Sequence, residues 1–427
     1  MSRFSTTLWV ATALFILYAG AIPFQFVSSR AVSLEKLSRV TLNPLISPDT
    51  GRRLSTTDVI QNLLLFVPFG IAGHLAVRRR LKSESGRIGI VMVLGMLLSA
   101  YVETLQLIVV GRTTSVADFV ANTIGTLGGA CVASLAFRGV MRPMLASPLR
   151  LADRPMLFPA IVGLLLVCLA AFEPFDVTLD VSALVPKLRQ FHAHPWQLAA
   201  ADNQVIDFLR FVLFGLAASL WARQALTRSP AAAAAVATAA VAMGAEAAQF
   251  LIESRMPGLG DGTINATGAI LGSLLADGWP HGRSPAFWCA LLTVITFAGA
   301  AMQTLAPFQV ADARRPFQWL PFFNYYERTS LVTLSHAIQL ALTYFPLGFV
   351  MPAVIRSRFR GWSTAIALTA SIAVPLEYLQ GWIPGRYPDV TDISIALLGC
   401  VVGLLTGGPG RATFERAVRG QRPEPVV

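Results

Sequence analysis

Apolar runs of close to twenty residues recur twelve times along this chain of 427 residues, at 7–26, 60–77, 88–110, 116–137, 156–174, 204–222, 230–252, 263–277, 286–306, 332–354, 362–382 and 391–407. Each approaches the ~20 residues that a helix needs to cross ~30 Å of hydrocarbon. The expected fold is therefore all-α: a polytopic membrane helix bundle with about 12 transmembrane helices. Composition agrees, since 54% of the residues are apolar against roughly 45–50% in soluble domains. The first run begins after Arg3 and ends in Ala19-Gly20-Ala21, which resembles a signal-peptide cleavage site. The same kind of segment, ending in Pro-Phe, recurs before Pro174-Phe175 and Pro307-Phe308. The first copy is therefore expected to be a retained span.

The formal net charge of +11 invites a nucleic-acid partner, but topology accounts for it. With the N-terminus inside, the short inner loops are dense in basic residues, as at Arg78, Arg79, Arg80, Lys82 and Arg87 and again at Arg356, Arg358 and Arg360. That is the positive-inside pattern. It puts both termini in the cytoplasm, makes the protein multi-pass, and leaves nucleic acid unsupported. Cys131, Cys168, Cys289 and Cys400 form no CxxC pair and read as small packing residues. His192 and His194 have no third ligand at a metal-site spacing, so neither a metal nor a cofactor is implied.

Charged residues are only 13% of the chain, yet one charged pattern occurs three times without insertion or loss. It reads Glu103, Gln106, Arg112, Asp118, Gly125, Gly129; then Glu246, Gln249, Arg255, Asp261, Gly268, Gly272; and finally Glu377, Gln380, Arg386, Asp392, Gly399, Gly403. Such periodicity defines a repeated unit. Upstream of each Glu lie a basic loop, a span containing FVPFG (66–70), FVLFG (211–215) or YFPLG (344–348), an outer loop carrying Pro44, Pro186 or Pro321, and the Pro-Phe pair. The reading is three tandem four-helix units at 1–150, 151–282 and 283–427. Four spans is an even number, so all units share one orientation, and every Glu/Gln/Arg/Asp set faces the extracytoplasmic side.

Within each copy Glu and Gln share a helix face. A carboxylate at membrane depth costs from about 2.5 kcal/mol upward and normally faces protein or water. The Arg of the following loop is its natural ion-pair partner. Asp118 and Asp392 follow Ser115 and Asp389 by three residues, the spacing of a helix N-cap and a first-turn acid. Asn122 and Asn265 lie one turn after the Asp, where the third copy has Ala396; the paired Gly fit close helix contact. The second span adds Asp58 and Asn62 in the first copy, Asn203 and Asp207 with Arg210 in the second, but His336 and Leu340 in the third. On this count the first copy carries the fullest polar set.

These residues resemble the VanZ-like family: a polar start and a Pro-Phe-Gly element in one span, ExxQ closing the next, Arg in a short loop, then DxxxNxxG. The first two copies match in the second half of the unit, and the third departs at Ala396 and Leu340. The resemblance implies a bacterial cell-envelope membrane protein, with membrane lipids or lipid-linked envelope precursors as partners and a link to low-level glycopeptide (teicoplanin) resistance; it implies no established reaction.

Three functions compete, beside the remaining possibility that the motif only staples helices together. In the first, the polar set binds an anionic or glycan-bearing lipid headgroup at the outer face. In the second, an enzyme modifies envelope lipids, with Glu103 as general base and Arg112 steadying an oxyanion, although no nucleophile set or GxSxG element accompanies them. The third is a transporter built from tandem repeats, which would more typically hold its polar residues near the bilayer midplane.

Overall fold

The structure, a computed structural model, describes residues 2–27, 30–39, 56–78, 80–137, 156–178, 181–225, 229–277, 285–327, 331–355 and 358–418. Pro44 and the unit boundaries expected near 150 and 282 lie outside them. Every regular element among the described residues is helical, and the pairings between extended segments are isolated bridges. The chain forms two compact bodies, residues 1–147 with 325–331, and 148–324 with 332–427.

The first body holds α1 (Ser2–Ala21), α2 (Arg30–Arg39), α3 (Thr56–Val77), α4 (Glu84–Gln106) and α5 (Val116–Phe137). Its core joins Ile16, Phe66, Phe69 and Val102, flanked by Trp9 and Leu98. The second body holds α6 (Leu157–Phe172), α7 (Val181–Ala193), α8 (Ala201–Ala225), α9 (Pro230–Ala248), α10 (Leu259–Asp277), α11 (Pro285–Leu305), α13 (Leu331–Val354), α14 (Arg358–Gln380) and α15 (Val390–Val418), with the short α12 (Phe323–Glu327) crossing the division. Its core joins Val167, Phe211, Phe214, Ala218 and Ala242.

All twelve predicted apolar segments are helical. Six helices are long and apolar enough to cross a membrane by length and composition: Glu84–Gln106, Val116–Leu135, Ala201–Arg223, Pro230–Leu251, Ala286–Leu305 and Val332–Pro352. Four more are apolar but shorter: Ser5–Ala21, Asn62–Val77, Leu157–Phe172 and Val390–Thr406. The protein is thus a helical membrane protein.

One expectation is corrected. The segments expected as outer loops before the second span are not plain loops in the first two copies, because α2 and α7 occupy them and Pro186 lies inside α7. Leu184, Val185 and Leu188 recur at helical spacing there, while Leu188 and, in α2, Leu34 and Leu37 remain more than half exposed. Short helices with apolar residues left open suit the water–lipid boundary.

Local geometry recurs with the motif. After α1, α6 and α11 the chain turns through cis Ile22–Pro23, Glu173–Pro174 and Ala306–Pro307, with Phe24, Phe175 and Phe308 at φ 62°, 69° and 61°. In each turn the Phe N–H donates to the carbonyl three residues back, at 2.7 Å in all three places. The extended segment that follows reaches the loop after the third long helix of its copy, through Val27 N to Ile108 O (2.7 Å), Thr178 N to Leu251 O (2.8 Å) and Ala311 N to Trp382 O (2.7 Å).

The second and fourth long helices of each copy touch backbone to backbone. A Cβ added at Gly129, Gly272 or Gly403 would fall inside the contact radius of the carbonyl of Val67, Val212 or Phe345. Gly70, Gly215 and Gly348 make the reciprocal contacts with Thr126, Ala269 and Cys400. Only glycine permits such an approach, which explains both the Gly pairs and the final Gly of the FVPFG, FVLFG and YFPLG elements.

Candidate functional site

The motif Glu closes the third long helix of its copy and caps the fourth. Glu103 Oε2 accepts the Ser115 N–H at 2.9 Å, Glu246 Oε2 that of Gly258 at 3.4 Å, and Glu377 Oε1 that of Asp389 at 2.8 Å. Each donor is the residue just before α5, α10 or α15, where a helix start leaves N–H groups unsatisfied. In a capping box the acid that accepts this N–H comes from within the same helix; here it comes from twelve residues upstream and ties two helices together. Ser115 and Asp389 complete the cap by accepting from Ala117 N (3.1 Å) and Thr391 N (2.7 Å).

The motif Arg serves the opposite helix end. Arg112 donates to Ile22 O (3.2 Å) and Ala19 O (2.8 Å), Arg255 to Glu173 O (2.8 Å) and Ala170 O (3.1 Å), and Arg386 to Ala306 O (3.3 Å). These carbonyls end α1, α6 and α11, where a cation offsets the negative end of the helix dipole. The Glu and the Arg of a copy are thus occupied with different helix ends. Burial draws the Arg386 guanidinium below its ordinary value, opposed by Asp392 and Glu377, yet a guanidinium remains charged.

Two lysines do related work. Lys36 Nζ donates to Val109 O at 2.6 Å, and Lys187 Nζ to Ile252 O, so α2 and α7 each pin the loop that carries the motif Arg. Burial pushes the Lys187 ammonium below the ordinary lysine value, against the pull of Asp176 and Glu253.

The motif Asp occupies the third position of α5, α10 and α15, and in the first two it reaches the start of the second long helix. Asn62 Nδ2 donates to Asp118 Oδ1 at 2.6 Å. Asp261 accepts from Gln204 Nε2 at 2.6 Å and from Ala199 N at 3.1 Å. Asp392 instead donates its own N–H to Asp389 at 3.2 Å. Asn122 bonds Ser99 Oγ at 2.9 Å. Gln106, Gln249 and Gln380 are all buried, and Gln249 donates to Glu246 at 3.4 Å. Asp58 lies in α3, with its side chain outside the described residues.

In the second copy these residues converge on a cavity of about 190 Å³. Asn203, Asp207, Glu246, Gln249, Arg255, Asp261 and Asn265 all line it, which is every polar candidate the sequence singles out in that copy save Arg210. Three carboxylates face one guanidinium, with amides between them. Arg255 spends Nε and Nη2 on carbonyls, so its position is set from behind before any ligand arrives.

The family model described as VanZ/LLP1 matches residues 4–137 and 286–407. The chain belongs to the VanZ/LLP1 family. No curated protein and no solved structure gives a match.

Two matched stretches mean that this VanZ/LLP1 protein carries more than one VanZ-like unit. Both stretches bear the full Glu-to-Gly pattern. The cavity, however, lies between them, in the stretch the family model leaves unmatched. Sequence reasoning passed over several residues of this VanZ/LLP1 chain: Lys36 and Lys187, which sit in what read as loops; Gln204, which answers Asp261; and Arg314 and Arg315, which stack over Tyr378 (3.7 Å) and Tyr387 (4.2 Å). The shared Lys-Leu dipeptide at 36–37 and 187–188 is the one signal that pointed to the first two.

Proposed function

We propose that this VanZ/LLP1-family protein is a multi-pass protein of the bacterial cytoplasmic membrane, with twelve crossings, cytoplasmic termini and three tandem units at 1–150, 151–282 and 283–427. In the central unit, the cavity binds a glycan or other hydroxyl-rich headgroup, carried by a membrane lipid or a lipid-linked envelope precursor at the outer face. The threefold recurrence of Glu caps, Arg anchors and Pro-Phe turns supports the three units. The observation that carries the binding reading is the 190 Å³ cavity and its seven candidate residues, four of them from the repeated motif. Asp207, Glu246 and Asp261 accept hydrogen bonds from hydroxyls, Asn203, Gln249 and Asn265 both donate and accept, and Arg255 donates. With carboxylates in excess, this cavity suits a polyol better than an anion.

Native mass spectrometry of the purified protein, equilibrated with equal amounts of monoglucosyl diacylglycerol, diacylglycerol and phosphatidylglycerol, tests the reading. The glucosylated lipid should be retained preferentially. Asp261→Asn with Asn265→Ala should lower that retention about tenfold, corresponding to roughly 1.4 kcal/mol of lost hydrogen bonding. Equal retention of the three lipids, or an unaffected double variant, would remove the basis for the reading. The expected physiological correlate is a changed teicoplanin tolerance on deletion of the gene.

A further inference from the structure

A second cavity, of about 370 Å³, opens in the same body where α6 and α8 meet α11 and α13, and it shares Asn203, Asp207 and Arg255 with the first. Its volume lies within the roughly 300–1,000 Å³ of small-molecule sites. Arg210 and Gln303 line it, 9% and 6% exposed. Arg210 gives Nη1 to Asp207 (2.8 Å) and Nη2 to Gln339 (2.6 Å), while Gln339 and Ser335 hold Glu173 (2.6 and 3.1 Å). Arg210 Nε and Gln303 Nε2 are left buried with no acceptor. Buried donors without acceptors are rare and costly in native proteins, and these two belong to side chains that line the cavity together with Arg255 and Arg386.

One to two turns further along the same helices the lining becomes apolar. Ala170 gives way to Leu166 on α6, Arg210 to Leu213 and Ala217 on α8, and Gln339 to Leu342 and Phe345 on α13, where a narrow cavity of about 70 Å³ opens. A polar compartment with unsatisfied donors therefore stands over an apolar slot between the same three helices.

We propose that this cleft holds a single-chain or diacyl amphiphile by a phosphate group, whose oxygens accept from Arg210 Nε and Gln303 Nε2 while its chain enters the slot. Arg255 and Arg386 supply the flanking positive charge, and Glu173 and Asp202 leave room for an amine-bearing headgroup. This deepens the headgroup reading, since a phosphate here and a glycan in the adjoining cavity would belong to one phosphoglycolipid-like ligand. It also stands without the glycan.

Calorimetric titration of the protein in amphipol, using n-decyl phosphate below its micelle concentration, inorganic phosphate and n-decyl glucoside as probes, decides the matter. Decyl phosphate should bind at least tenfold more tightly than either of the others. Arg210→Gln and Gln303→Leu should each weaken it at least fivefold. Ala217→Phe, which fills the slot, should weaken decyl phosphate and leave inorganic phosphate unchanged. Inorganic phosphate binding as tightly would reduce the site to a free-anion site; decyl glucoside binding as tightly, or indifference to Gln303→Leu and Ala217→Phe, would overturn the proposal. Gln303→Leu and Ala217→Phe carry the test even where Arg210→Gln fails to fold. Asp261→Asn, which the glycan reading needs, should not alter decyl phosphate binding, so the two readings fail separately.

Discussion

Replacing Glu103 by Ala and by Gln separates the two roles open to the motif carboxylate. In the structure Glu103 accepts the buried Ser115 N–H at 2.9 Å, while Arg112 is held by the carbonyls of Ala19 and Ile22. Removing the acceptor leaves a buried N–H unpaired, at about 1–3 kcal/mol, so Glu103→Ala should cost about 2 kcal/mol. The Gln amide oxygen can still accept from Ser115, and Glu103→Gln should cost less than about 1 kcal/mol. An Arg-neutralising role predicts otherwise, because both variants strip the charge and breaking a buried pair costs about 3–5 kcal/mol. Unfolding in mixed micelles titrated with dodecyl sulfate gives the free energies, and hydrogen exchange at the Ser115 amide gives the local consequence. Equal losses for the two variants, or an unchanged exchange rate at Ser115 in Glu103→Ala, would refute the capping argument.

Gly272→Ala puts a methyl group against Val212 O and 2.9 Å from Leu216 N, and should destabilise by about 1–3 kcal/mol; Gly244→Ala, with nothing within 4 Å of its Cβ, should be neutral or stabilising by up to about 1 kcal/mol. The same unfolding assay reads both, and a neutral Gly272→Ala would contradict the backbone contact. Lys187 is a base whose folded value is lowered by burial, so the unfolded chain binds more protons between that value and the ordinary lysine value, and stability should rise with pH across that window. Lys187→Met should flatten that part of the pH–stability curve, and an identical curve would show that the ammonium is not buried.

Much of the fold was legible because the membrane demands long apolar runs: helices lie at every predicted place, six of them long and apolar enough to cross and four more apolar but shorter. Span boundaries such as 204–222 against Ala201–Ala225 differ only at their polar ends, where hydropathy stops discriminating. The α2 and α7 helices were missed for a related reason: their apolar positions are too few to register as spans, and Pro186 reads as a breaker. At the candidate site, spacing showed that Glu, Arg and Asp belong together but not which atoms they meet. Glu103 and Arg112 are the obvious pair by charge, whereas the stronger claim on each comes from unsatisfied backbone at two helix ends. Sequence counting favoured the first copy for its Asp58 and Asn62. Among the described residues a cavity forms in the second copy, where Gln204 and Ala199 N meet Asp261 at the helix start, while the side chain of Asp58 lies outside them.

The glycine contacts constrain how anything could enter these cavities. Sliding α5 along α3, or α10 along α8, by one turn of ~5.4 Å would bring Ala133 or Ala276 to the place of Gly129 or Gly272, and its methyl against the facing carbonyl. The second and fourth helices of a copy therefore behave as a fixed post. The first and third helices meet that post through side chains, as Ile16 and Val102 meet Phe66 and Phe69, and through the Arg anchor and the Glu cap, so the residues that mark the motif also fix the helices that would have to give way for a ligand to enter.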